Sequence, residues 1–139
     1  MKLRSWILGI LIAATSIVPL GAHHSFAAEY DSTKPISIKG VVRKLAWVNP
    51  HAYIYVDVKD DAGKAVTWAF EILSPNALAR QGWNSTSLKF GDVISVEGYL
   101  AKDPTPLADG SLHANARTIT RADGRRVFSG NAGDGGPAR

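Results

Sequence analysis

The chain has 139 residues, four of them histidines and none cysteine, so any metal chemistry falls to imidazole, amine and carboxylate ligands. His23 and His24 are adjacent, His51 follows Asn49-Pro50, and His113 follows Gly110-Ser111. If the mature chain starts at His23, its α-amino group and imidazole chelate one ion. A further imidazole from across the fold then completes a three-nitrogen, tetragonal site of the type copper(II) favours. His51 is the candidate for that third imidazole, which makes His23, His24 and His51 the expected ligands of a copper-like divalent ion. If the chain starts at Ala22 instead, His24 becomes its third residue. The amino group, two backbone nitrogens and that imidazole then wrap copper or nickel without another strand. The plainer alternative is that paired histidines near a terminus are solvated and that His51 hydrogen-bonds the turn it starts. The chain has neither a His-x-x-His helix nor the Cys-His spacing of a zinc site. His113, at a strand entrance, reads as a surface residue.

A second group is polar and aromatic. Tyr53 and Tyr55 lie two apart on one predicted strand, Asn115 and Arg117 two apart on another. Tyrosine offers flat stacking area with a polar tip, and arginine a planar cation that clamps a carboxylate. Together they form a candidate face for a small ligand or a protein partner, against the alternative that they are ordinary outward residues of a half-exposed sheet. Asp57 and Glu71 fall on neighbouring strands, but paired carboxylates need a cleft and shifted pKa values for acid/base work. With no nucleophile motif, phosphate-binding loop or dinucleotide fingerprint, the sequence reads as that of a non-enzyme, and no catalytic residue is assigned.

Lys2 and Arg4 precede an apolar run, Trp6 to Leu20, that ends in small residues, the layout of a secretory signal peptide. The run is shorter than the ~20 residues a membrane span needs, so no stable membrane anchor is expected. Residues 1–22 are read as the leader, and the protein as periplasmic or secreted. Cutting after Ala22 leaves Leu20 in the third-last position. A cut after Gly21 puts Pro19 there, and one after Ala27 fits the small-residue pattern best but removes both histidines. Of 16 basic residues, Lys2 and Arg4 belong to the leader; the 14 that remain against 12 acidic ones leave a net +2, too little for a nucleic-acid binder. Residues 23–128 make one domain of ordinary size, and the Gly-rich stretch 129–139 reads as a disordered tail.

The elements that must position these residues follow from the pattern. Ile36 to Val48 is β-branched and loosely alternating, a long strand bent at Gly40. His51 to Val58 alternates, with Ala52, Ile54, Val56 and Val58 on one face. Asp60 to Gly63 turns the chain into a strand from Lys64 to Ile72. Ser74-Pro75 opens a short helix that Gly82 ends. Strands from Asp92 to Leu100 and His113 to Thr120 complete the set. Trp47, Trp68 and Trp83 read as packing residues, since Trp68 is in phase with Val66 and Phe70. Three strands, a helix and two strands is the order of an OB-fold, so the expected class is all-β with one short helix: a five-stranded, partly open Greek-key barrel.

The motifs AHHSFAAEYD (22–31), WVNPH (47–51), WAFE (68–71), SPNAL (74–78) with GW (82–83), GDVISVEGY (91–99) and HANARTIT (113–120) resemble an uncharacterised family of small exported bacterial proteins. The resemblance covers the whole mature domain and implies an exported domain of unknown function, without catalytic residues to carry over. The resulting expectation is an envelope binding or accessory module. It would hold a copper-like ion and serve an exported redox enzyme or another envelope protein; the alternative is a metal-free domain that uses Tyr53, Tyr55, Asn115 and Arg117.

Overall fold

The computed structural model describes residues 26–130, so the leader, His23, His24 and residues 131–139 lie outside the described residues. One turn of helix, α1 (Phe26–Glu29), leads directly into β1 (Tyr30–Ala46). This strand is long enough to serve two partners. Its Pro35–Val41 stretch runs antiparallel to β4 (Val93–Ala101), and its Val41–Ala46 stretch antiparallel to β2 (Tyr53–Lys59). Such a strand has to bend, and the register with β2 shifts between Val42 and Lys44, which leaves Arg43 as the extra, bulged residue. The bulge with β2 is therefore at Arg43 and not at Gly40. Gly40 answers a different demand: a Cβ there would lie 2.6 Å from the Asp57 carbonyl oxygen and from Val56 Cγ1, so glycine lets β2 approach β1 closely.

The Asp60 carboxylate accepts from the Ala62 and Lys64 N–H groups at 2.9 and 2.8 Å, and this turn joins β2 to β3 (Ala65–Glu71). Ser74 caps α2 (Pro75–Arg80), its hydroxyl accepting from the Ala77 N–H, with Pro75 in the first turn. β5 (Leu112–Arg121) then pairs antiparallel with β4 and parallel with β3. The order β1-β2-β3-β5-β4 returns to β1, so the OB-like barrel is closed, where the sequence suggested a partly open one, and the parallel β3–β5 contact closes it. A sixth strand, β6 (Arg126–Ser129), pairs with the far half of β5. Its signal in the sequence is the Asp123-Gly124 turn before a short alternating run.

Alternate residues fill the interior: Ile54 and Val56 from β2, Phe70 from β3, Ile94 and Val96 from β4, and Ile119 from β5 are all fully buried. Each such side chain contributes about 1.5–3 kcal/mol relative to exposure. Leu78 of α2 and Phe128 of β6 join the same core, and Trp83 packs edge-on against Phe128 while its indole N–H donates to the Val127 carbonyl at 3.0 Å. Trp47 and Trp68 pack against the core from its margin. No helix among the described residues is long and apolar enough to cross a membrane.

Candidate functional site

Strand alternation sends Phe70 into the barrel and Glu71, the next residue, to its outer side. Register places Glu71 between Tyr53 of β2 and Asn115 of β5. Although it faces outward, Glu71 is only 3% exposed. A buried carboxylate has to be paired and hydrogen-bonded, and its neighbours meet that demand from three directions. The Tyr30 hydroxyl, at the start of β1, donates to Oε2, and the Tyr53 hydroxyl approaches the same oxygen at 3.4 Å. His51 Nδ1 pairs with Oε1. His113 Nε2 stands 3.6 Å from Oε2, an ion-pair distance, and makes its 2.9 Å contact with the Tyr30 hydroxyl. Since that hydroxyl gives its proton to Glu71, His113 donates to it, and the three groups form a chain from imidazole through phenol to carboxylate.

Backbone pairing fixes this arrangement. Ala52 exchanges hydrogen bonds with Leu73 and Ile72 (3.1 and 2.9 Å), extending the β2–β3 ladder past its last paired strand residues and holding His51 beside Glu71. The Asn49–Pro50 bond just before it is cis. Phe26 stacks on Tyr30, ring centres 5.5 Å apart, and meets Tyr99 of β4 edge-on at 5.8 Å, so α1 and the start of β1 lie over the row that runs from Glu71 through Asn115 to Tyr99. Beside Glu71 a recess of about 400 Å³ opens, with Glu29, Tyr53, Lys102, Thr105 and His113 in its wall.

Burial alone would raise the Glu71 pKa. Its interactions with His113 and Tyr30 and the charge of His51 outweigh burial, and the carboxyl lies below its ordinary value. Burial, followed by the Glu71 charge, pushes the Tyr30 and Tyr53 phenols well above theirs. The cluster therefore keeps an ionised carboxylate among hydroxyls that stay protonated.

The sequence-derived residues are distributed unevenly around this centre. His51 and Tyr53 belong to it, and His113, read from the sequence as a surface residue, is one of its members instead, held by Tyr30 and Glu71. Asn115 is fully buried: its Oδ1 accepts from the Tyr99 N–H at 3.0 Å, and its Nδ2 has no partner among the described residues. Tyr55 lies under Lys44, whose Nζ is 4.1 Å from the ring centre. Arg117 is exposed and stands over Tyr99, so of the four residues of the expected face Asn115 is the one that burial withholds from a ligand. Asp57 does not meet Glu71; it binds Arg43 Nε at 2.9 Å and the Thr67 hydroxyl at 2.7 Å, farther along β2. Among the described residues no three His, Asp or Glu side chains are arranged to hold a metal ion. His23 and His24, two of the three expected ligands, lie outside that part of the chain.

Sequence reasoning gave Tyr30 no role. Its one signal was its place in the AHHSFAAEYD motif, because nothing in strand periodicity tells that a tyrosine at a strand start reaches a carboxylate 41 residues away. No curated protein matches the chain. The profile of a family of unknown function, DUF6152, matches residues 11–108, a span that contains α1, β1 to β4, and His51, Tyr53 and Glu71 of the cluster. By that match the chain belongs to the DUF6152 family.

Proposed function

We propose that the protein is an exported binding module of the cell envelope, periplasmic or secreted, that holds a copper-like divalent ion through His23, His24 and His51. Its role would be to deliver that ion to an exported redox enzyme or another envelope protein. The observation that carries this reading is the pairing of His51 Nδ1 with the buried Glu71 carboxylate. Metal-binding histidines commonly give one ring N–H to a carboxylate, which fixes the tautomer and raises the basicity of the other nitrogen. With Nδ1 engaged, Nε2 is the nitrogen left for an ion. Phe26, two residues after His24, packs on Tyr30, and Tyr30 touches both Glu71 and His113; the chain that carries the paired histidines thus enters the described fold at this cluster.

The test is a copper(II) titration of protein recovered after export, with its N-terminus established by intact mass. A start at His23 and one ion per chain, with affinity lost in His51→Ala, is the expected result; a start at Ala22 with affinity unchanged in His51→Ala would assign the ion to the N-terminal segment alone. A start at Ala28 removes both histidines and rejects the site. A second, metal-free reading draws on the recess beside Glu71: its Tyr53, His113 and Lys102 wall suits a small polar ligand or a partner's side chain. Binding that persists with alanine at all three histidines would favour it.

A further inference from the structure

A second recess, about 590 Å³, lies over β1, β4 and β5 and shares no wall residue with the one beside Glu71. Its wall includes Pro35, Glu97, Gly98, Tyr99 and Arg117. The backbone beneath it is irregular in a specific way. Glu97 pairs with Thr118 but Gly98 pairs with Ala116, so Arg117 is the extra residue of a β5 bulge. Bulges re-aim side chains and recur beside binding sites. This one is supported on three sides. A Cβ on Gly98 would fall 1.8 Å from the Asn115 carbonyl oxygen, so only glycine allows the strands to meet there. The Asn115 side chain takes up the Tyr99 N–H. The Arg117 carbonyl accepts from the Gly130 N–H at 2.9 Å.

The bulge carries the Arg117 guanidinium to 5.9 Å from the centre of the Tyr99 ring, within range of a cation–π contact. Across the same recess stands Glu97, opposite the residue that follows Arg117. Both side chains are exposed. Among the described residues neither has an ion-pair partner. A cation and an anion, neither ion-paired among the described residues, thus share a recess whose wall includes an aromatic ring and a proline. The chemistry complementary to that wall is a zwitterion: a carboxylate for the Arg117 fork, an ammonium for Glu97, and an apolar side chain for Tyr99 and Pro35. We propose that this recess is a binding site for α-amino acids with an apolar or aromatic side chain. The site is independent of the metal reading, since it uses none of the Glu71 cluster.

The experiment is an NMR titration in the presence of chelator with three probes: L-phenylalanine, 3-phenylpropanoate, which lacks the ammonium, and phenethylamine, which lacks the carboxylate. Saturable shifts centred on the Gly98, Tyr99, Arg117 and Thr118 amides are expected with L-phenylalanine. Each truncated probe should bind about tenfold more weakly, the loss of one charge-assisted contact. Arg117→Gln should remove the advantage of L-phenylalanine over phenethylamine, and Glu97→Gln its advantage over 3-phenylpropanoate. Both residues are exposed, so each variant should melt with the parent protein. Equal binding of the three probes, undiminished binding of L-phenylalanine by Arg117→Gln, or the absence of a saturable site would overturn the proposal.

Discussion

The outer surface of the barrel carries two charged regions that treat their charges in opposite ways. Around Glu71, the carboxylate is buried and each of its oxygens has a partner. Over β4 and β5, Arg117 and Glu97 are exposed, and the described fold pairs neither with an opposite charge. The first arrangement costs desolvation, which only a complete set of donors offsets. The second keeps its charges hydrated and leaves them open to a ligand. Stability should therefore be sensitive to loss of charge at the first region and nearly blind to it at the second.

The largest effect is expected from Glu71→Ala. It strands two imidazoles and two hydroxyls, and removing one member of a buried ion pair typically costs about 3–5 kcal/mol. Urea denaturation in chelator measures this, and a loss below about 1 kcal/mol would mean that the cluster is a solvated surface after all. Gly98→Ala comes next. The added methyl would collide with backbone, not with a side chain able to rotate, so about 1–3 kcal/mol or more should be lost, together with the shape of the Arg117 bulge. Amide shifts of Tyr99 and Arg117 report the second effect.

Acid acts on the cluster in a direction set by Glu71. Its folded pKa lies below the ordinary 4.5, so the stability it contributes is fully present above that value and is lost as pH falls through the lower folded value. Glu71→Gln should flatten this part of the stability profile below pH 4.5; an unchanged slope would place the acid sensitivity elsewhere. The smallest change is expected from Arg117→Gln and Glu97→Gln, each within about 0.5 kcal/mol of the parent protein. A larger loss in either would show that its charge serves the fold.

The same contrast explains what could be read from the sequence. Local chemistry was legible: the Ser74-Pro75 cap, the Asp60–Gly63 turn, and the alternation of Ala52, Ile54 and Val56 all appear in the structure as the pattern required. Strand order also followed, because one helix between the third and fourth strands restricts the topology. Contacts made across the barrel were not legible. His113 was read as a surface residue from its place at a strand entrance, because local sequence does not show that Tyr30, 83 residues away, will cover that side. Asn115 was placed on an open face for the same reason. The bulge in β1 lies at Arg43, which carries no sequence signal, while Gly40 marks close approach of β2; a glycine in a strand is compatible with either use.

We propose that Glu71 orients His51 for an ion shared with the N-terminal histidines. Electron paramagnetic resonance of copper(II) bound to the exported protein, in the parent, His51→Ala and Glu71→Gln forms, tests it most directly. The account predicts nitrogen ligation that includes the His51 ring, one nitrogen fewer in His51→Ala, and an affinity about 10–100-fold weaker in Glu71→Gln, the usual cost of losing a carboxylate behind a metal-bound imidazole. Identical spectra and affinities in all three forms would contradict it.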